Sequence, residues 1–523
     1  MTDGFGHHEL AVPFRPIAEL FSGYRERDPD KLAIVDLDQG SSISFGELDR
    51  VVTDIAGDLK RRGVAKGDKV VLLSDENLEK LLIWFGIWRI GAVVCPLNVE
   101  LNSEHVASLS AMVEPKLVLI HSDLDADTLT LGSTAPVCRF GSYSKVKTKT
   151  EEDFFSTLTT SDPASLPERN DPSDLSCMFC TSGTTSKPKL VVYDHAAYWL
   201  SGLSTLDMLG LTENDKTLEY RSFGWNSAQV LSLMPFLQTG LTMHIAKRFS
   251  HSRFFEWIKQ YELTFSAGVP TVVNMLLNKP LGYTAKDIPS LRLMTCSTAP
   301  LSPEQWERFE STYGLTLLQL YGMSEAGWIC GNRHYQKRMG TVGPPAKHQE
   351  FIIVDGEGNK CPPEVEGEVS VGGLQTAIGY LQADGSVEPF RGKRNKTGDL
   401  AVMDEDGFVR VTGRTKDLII RGGMNISPLE IDEILLAHKD LMEAASVGVP
   451  DPIYGEEVVA FAIPKPNSGI TEQAILDFCE TKLPQAKRPK KLFFVDELPK
   501  NDRGKILRDK LRHAWSEQMG TKA

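Results

Sequence analysis

The sequence predicts an α/β protein with largely parallel sheets, built as a large N-terminal domain followed by a small C-terminal one. Three observations predict this. From about Leu32 onward, helix-spaced and strand-like segments alternate, the pattern that covers a parallel sheet with helices. At 523 residues the chain is too long for one ordinary core. The composition also changes near Gly413-Arg414-Thr415-Lys416-Asp417, and a unit of roughly a hundred residues, a common domain size, follows it.

The elements justify themselves in order. Phe45 to Arg62 has helical spacing, Lys69 to Leu73 reads as a strand, Leu78 to Ile90 as a helix, and Lys116 to Ile120 as a strand. The most apolar stretch, Leu81 to Val94, is interrupted by Arg89 and is too short to span a bilayer, so it reads as a buried helix. No integral membrane segment is expected. Thr157 to Asp174 is rich in Pro, Ser and Asp and reads as an exposed connection. The apolar runs Leu175 to Cys180 and Leu315 to Leu320 are strands, each followed by a polar loop. In the last unit, Leu418 to Ile420 reads as a strand and Gly422-Gly423 as a turn. Ser427-Pro428-Leu429-Glu430 then reads as a capping box that starts a helix through His438. A Lys/Arg-rich tail runs from Lys500 to Arg512, and no internal repeat is visible.

Composition excludes several functions. A hydrophobic content of 41% with 24% charged residues is that of a soluble globular protein, and a net charge of -13 leaves no basic excess for a nucleic-acid backbone. Eight scattered cysteines suit reduced thiols, and no basic and apolar leader is present, so a cytoplasmic protein is expected. Cys177 and Cys180 have metal-like spacing but lack a second pair or a nearby His, so they read as buried strand cysteines.

The most informative loop is Thr181-Ser182-Gly183-Thr184-Thr185-Ser186-Lys187-Pro188-Lys189. Gly183 lets the backbone approach an anion, the hydroxyls offer donors, and Lys187 and Lys189 add charge, which together make a phosphate cradle. It is not a Walker A loop, because the hydroxyls come first and the lysines last. Four further segments carry chemistry: Tyr321-Gly322-Met323-Ser324-Glu325 at a strand end, Thr397-Gly398-Asp399, Gly413-Arg414 with Lys416-Asp417, and Pro499 to Lys505.

In this order and spacing the segments resemble the adenylate-forming superfamily of acyl-CoA synthetases, luciferases and adenylation domains of nonribosomal peptide synthetases. The resemblance extends to Gly91 to Asn98, Ser297 to Leu301, Gly340 to Pro344, Gly367 to Val369 and Gly448 to Gly455. It implies an N-terminal domain over 1–415 with two βαβ-type subdomains and a small β subdomain. A mobile C-terminal α+β domain over 416–523 would turn about a hinge at Lys416.

The resemblance also implies roles. Thr181, Ser182, Gly183, Thr184, Thr185 and Lys189 would hold the β- and γ-phosphates of ATP, and Glu325 would bind Mg2+ together with Thr184. Ser297, Thr298, Ala299, Pro300 and Tyr321 resemble the adenine pocket, with Gly322, Met323 and Ser324 continuing that strand end. Asp399 and Arg414 resemble the ribose contacts, and Lys505 the catalytic lysine. Gly422 and Gly423 would line the thiol's approach. The implied reaction activates a carboxylic acid to acyl-AMP and passes the acyl group to CoA; the alternative acceptor is the phosphopantetheine of an acyl carrier protein. A homodimer is compatible with either.

Departures are few. Ser186 and Leu190 stand where the family usually has glycine, and Ser324 where it has threonine. The acid pocket is expected around Phe223, Gly224, Trp225 and Trp328. The Gly-Trp pair resembles short- and medium-chain acyl-CoA synthetases. No Asp lies between Thr217 and His244 to pair an amino acid's ammonium, and no basic residue between Phe223 and His244 would pair a second carboxylate. A small or medium carboxylic acid is therefore expected. The cluster Lys487-Arg488-Pro489-Lys490-Lys491 could attract CoA phosphates or a carrier's acidic surface.

Overall fold

The alternation of helix and strand becomes two eight-stranded sheets, accompanied by a four-stranded antiparallel sheet and a five-stranded C-terminal sheet. The computed structural model describes residues 12–99, 101, 103–124, 131–143, 153–166, 170–181, 189–501 and 505–518. In the first large sheet, Leu32–Asp36, Thr242–Ile245, Lys216–Glu219, Phe265–Ser266, Leu293–Cys296 and Thr316–Met323 run parallel in that spatial order. In the second, Leu175–Cys180, Val93–Leu97, Lys69–Leu73, Leu117–His121 and Val137–Phe140 do the same. Antiparallel strands close both edges of the first sheet and one edge of the second, and the four-stranded sheet is antiparallel throughout. The expectation of parallel sheets thus holds for the centres of the two large ones.

Helices between the large sheets make one continuous core. Phe45–Arg61 starts on a true capping box between Ser44 and Glu47 and buries Leu48, Val51, Val52, Ile55 and Leu59. It packs on Leu78–Arg89, whose Gly86 is required at the crossing: a Cβ there would lie 2.2 Å from Ile55 Cγ2. That second helix is buried along nearly its whole length, as its apolar sequence predicts, but the apolar stretch Leu81 to Val94 is not all helix: the helix ends at Arg89, Gly91 turns the chain with φ of 75°, and strand Val93–Leu97 begins.

The C-terminal unit has cores of its own on both faces of its sheet. Ile431, Leu435, Val458, Ile475 and Leu492 fill one face, and Val447, Val459, Phe461, Leu498 and Leu511 the other. Gly422 and Gly423, with φ of 58° and 85°, form the two-residue turn between Ile419–Arg421 and Met424–Ile426, a geometry that needs positive φ at both positions.

Two local expectations are corrected. Ser427 caps its helix by accepting from Leu429 N, while Glu430 bonds Lys487 instead of closing a capping box. The Ser427 hydroxyl donates to the Thr412 carbonyl at 2.5 Å, tying this helix to the last N-terminal strand. The connection before Asp174 is anchored as well as exposed, because Asn170 is buried and donates to the Trp88 carbonyl at 2.7 Å.

Candidate active site

The site is assembled from strand ends. Cys296 lies opposite Gln319 in the parallel pair, so Ser297 to Pro300 leave their strand beside Leu320 and Tyr321 of the next. Thr298 takes φ of 76°, a left-handed conformation costing a β-branched residue roughly 1–3 kcal/mol. Thr298, Ala299, Pro300, Tyr321 and Gly322 line a cavity of about 290 Å³, which Asp399, Arg414 and Lys505 complete. Ser297 does not line it; the residue is fully buried and its Oγ has no hydrogen-bond partner among the described residues.

Register brings Asp399 and Arg414 together. Strands Asn395–Met403 and Val409–Arg414 pair with Asp399 directly opposite Arg414. Arg414 Nε donates to Asp399 Oδ1 at 2.5 Å, and the Tyr321 hydroxyl donates to Oδ2 at 2.5 Å. Burial, reinforced by the Asp399 carboxylate, holds the Tyr321 phenol protonated far above its usual range. Lys505 lines the same cavity from the C-terminal unit, its backbone N–H held by Asn501 Oδ1 at 2.9 Å. Burial, followed by the neighbouring Arg414 charge, pulls its ammonium pKa down to about 8, against the opposing pull of Asp399.

The phosphate side is partly described. Thr181 N donates to the Lys189 carbonyl at 2.8 Å, which closes the base of the hydroxyl loop. Ser182, Gly183, Thr184 and Thr185 lie outside the described residues, as does Ser186. Leu190, the second departure, is fully buried at the start of strand Leu190–Asp194. Glu325 Oε1 accepts from the Tyr380 hydroxyl at 2.8 Å, and Lys189 Nζ sits 4.7 Å from the centre of the same ring. Ser324 is held through its carbonyl by the Tyr193 hydroxyl at 3.1 Å. Sequence reasoning missed Tyr380, which lies 55 residues later on Gly379–Leu381, a strand that pairs antiparallel with Leu190–Asp194 in the second large sheet. It also missed the part played by Asp417, which lines the cavity and favours the charged form of Lys505.

Other expected residues stand apart from the cavity. Phe223 and Trp328 are 1% and 2% exposed; both are core, and Trp328 Nε1 donates to Thr205 Oγ1 at 2.9 Å. Gly224 is buried, and Trp225 packs half-buried on the core of the second sheet. Met323 is half-buried at its strand end, and Lys416 is exposed in the single turn Thr415–Asp417 between the two units. Gly422 and Gly423 are exposed on the C-terminal unit. The basic cluster is not a free patch: Lys487 pairs with Glu430, Arg488 donates to the Leu483 carbonyl, Lys490 pairs with Asp451, and Lys491 Nζ lies over Trp515. Among the described residues, no group of three or more His, Cys, Asp or Glu forms a metal site, and no helix is long and apolar enough to cross a membrane.

Comparison with known proteins agrees with this geometry. The family model of the AMP-binding enzymes matches residues 22–381, and that of the AMP-binding enzyme C-terminal domain matches 430–505. A probable CoA ligase of Humulus lupulus is 31% identical over 493 residues, 92% of this chain and 93% of its own. The oxalate–CoA ligase of Arabidopsis thaliana is 30% identical over 85% of this chain and 88% of its own. ATP-bound MatB from Rhodopseudomonas palustris has a TM-score of 0.85 at 27% identity, covering 96% of this chain and 99% of that one; its apo form scores 0.78. The chain belongs to the AMP-binding, adenylate-forming enzymes. Within them it is an AMP-forming acid–thiol ligase of the acyl-CoA synthetase type, using ATP and CoA.

Proposed function

We propose that the enzyme activates a small or medium monocarboxylic acid, with Lys505, Asp399, Arg414 and Tyr321 handling the nucleotide and CoA as the acceptor. The observation that carries this reading is the meeting of Lys505 with the Tyr321, Asp399 and Arg414 triad in one cavity, because a lysine from a separate unit has no structural need to be there. An acid carboxylate oxygen attacks the α-phosphorus of ATP, the bond to the bridging oxygen breaks, and pyrophosphate leaves. The Lys505 ammonium neutralises the charge that gathers on the phosphates, which lowers the barrier more than it strengthens ground-state binding. Asp399 and Arg414 hold the ribose, and Thr298 to Pro300 with Tyr321 enclose the base. The CoA thiolate then attacks the acyl carbonyl and AMP leaves.

The chemistry of Glu325 suits Mg2+. Tyr380 occupies one carboxylate oxygen, which orients the group, and Mg2+ is commonly held by one or two carboxylates with substrate phosphates completing its shell. Bound there with the Thr184 hydroxyl, the ion would supply charge neutralisation for the leaving pyrophosphate. Removal of divalent cations should abolish pyrophosphate release, and magnesium should restore it.

The hinge at Lys416, with domains over 1–415 and 416–523, belongs to the same reading. So does a channel past Gly422 and Gly423. Eight cysteines, all free, support a reducing compartment such as the cytoplasm. A carrier protein is the alternative acceptor, and either acceptor is compatible with a homodimer. The test is pyrophosphate release and thioester formation with acetate, butyrate, hexanoate, benzoate and oxalate, with CoA or with carrier protein. Saturable acyl-CoA formation from a monocarboxylate is expected. Turnover with oxalate alone, or only with a carrier, overturns the reading.

A further inference from the structure

The segment Ser222 to Trp225, irregular backbone between strand Lys216–Glu219 and the helix beginning at Asn226, is gripped from two sides by buried polar groups. One grip comes from the helix that follows. Gln229 is fully buried and opens the π-helical turn Gln229–Leu233. Its Nε2 donates to the Phe223 carbonyl at 2.6 Å, and its Oε1 accepts from the Tyr198 hydroxyl. A π turn inserts an extra residue at the expense of regular helix hydrogen bonding, and such turns concentrate at functional sites. Tyr198 packs 4.9 Å from Tyr193, whose hydroxyl holds the Ser324 carbonyl beside Glu325. This grip therefore continues to the nucleotide side of the site.

The second grip comes from the other large sheet. Ser222 Oγ donates to Glu76 Oε1 at 2.6 Å and accepts from Gly224 N at 3.1 Å. The same Glu76 oxygen receives Lys80 Nζ at 2.6 Å, and the Lys80 side chain is completely buried. Lysine is almost never fully buried without a paired charge, and apolar side chains of similar volume would often serve stability as well or better. Stability alone does not account for the pair. What it holds is the backbone at Gly224, where an added Cβ would sit 3.2 Å from Ser222 Oγ and 3.5 Å from Asn98 Cβ.

We propose that Gln229 and the Glu76–Lys80 pair are positioning residues that clamp Ser222 to Trp225 as a fixed wall of the acid pocket and thereby set affinity for the carboxylic acid. The inference rests on the proposed acid-activating function and on the family resemblance by which this segment borders the acid; none of its residues lines the cavity shared by Tyr321, Asp399, Arg414 and Lys505. None of the three residues touches a reacting atom; each acts through the backbone it holds.

Two variants separate the clamps from the fold. Gln229→Met keeps volume and removes both side-chain hydrogen bonds, whereas Ser222→Ala removes the link to Glu76 and leaves Lys80 paired. Hydrogen exchange of the peptide over 220–228 should speed up about tenfold in each, the loss of one to two hydrogen bonds, with the 395–414 hairpin unchanged. With whichever of acetate, butyrate, hexanoate or benzoate the wild type uses fastest, KM for the acid should rise about tenfold while KM for ATP stays within about twofold. Unchanged exchange over 220–228 in both variants overturns the clamp, as does faster exchange throughout the chain with equal rises in both KM values. If Gln229→Met does not fold, Tyr198→Phe removes the hydroxyl donor alone and is read in the same way. Wild-type inactivity with all four acids would count against the functional reading, while exchange, which needs no substrate, still decides the clamp.

Discussion

At the scale of single residues, Lys505 and Asp399 are the most exposed to test. In its proposed role the Lys505 ammonium would neutralise charge only when protonated, and burial beside Arg414 brings its pKa down to about 8. The sign follows: kcat/KM for ATP, which reports free-enzyme groups, should be flat below that pH and fall about tenfold per pH unit above it. Lys505→Arg, charged across the whole range, should lose that alkaline limb, and an identical limb in both enzymes would remove Lys505 from the assignment. Lys505→Ala should lower adenylation about 100- to 1,000-fold, the usual effect of deleting one transition-state donor, yet still convert supplied acyl-AMP to thioester. Asp399 accepts from both Arg414 and Tyr321. Asp399→Asn replaces two charge-assisted bonds and leaves Arg414 without its partner, so KM for ATP should rise about 10- to 100-fold in a steady-state assay. The carboxylate, hydroxyl and ammonium types of these residues are legible in the sequence. That Asp399 joins Tyr321 to Arg414 is not, because the join depends on a strand register and on a tyrosine 78 residues away.

At the scale of elements, periodicity located several helices and strands to within a residue or two, but it ran the helix from Leu81 on into strand Val93–Leu97 and stopped the strand Thr316–Met323 three residues short. Phe45–Arg61, Lys69–Leu73, Leu78–Arg89 and Leu175–Cys180 stand where their apolar spacing predicts them. The same reasoning failed where a polar side chain had a better partner at a distance. Glu430 has the spacing of a capping box, but Lys487 lies within 2.7 Å and takes it. Lys487 to Lys491 look like a free basic turn until their carbonyl, carboxylate and ring partners are seen. The turn after Leu293–Cys296 gives a prediction of its own. Thr298 is strained at φ of 76°, so Thr298→Gly should stabilise the fold by ~1 kcal/mol, visible as a Tm increase of about 1–2 °C. Because the strain shapes one wall of the cavity, the same variant should weaken ATP binding severalfold by calorimetry. A loss of stability would mean that the hydroxyl or methyl contributes more than the strain costs.

At the scale of the whole molecule, the C-terminal unit has its own cores and is joined to the rest through Thr415–Asp417, with Lys505 already at the cavity lined by Tyr321, Asp399 and Arg414. In the proposed reading, a site formed by one lysine and one triad serves adenylation, and thioester formation calls for that lysine to leave. Lys416→Pro, which restricts the backbone between the units, should leave pyrophosphate exchange within about threefold and slow acyl-CoA formation more than tenfold. Equal loss of both half-reactions would exclude Lys416 as the pivot. The sequence by itself determined the fold class and the kinds of residue that meet in the cavity of Tyr321, Asp399, Arg414 and Lys505, because apolar periodicity and strand-end motifs are local properties of the chain. Only the tertiary structure decided that Tyr380 orients Glu325, that Phe223 and Trp328 are core, and that Gln229 and a buried Glu76–Lys80 pair grip Ser222 to Trp225. Those outcomes depend on which distant groups share a small, dry space, where an unmet hydrogen bond or charge is too costly to leave and neighbours in space, not in sequence, must meet it.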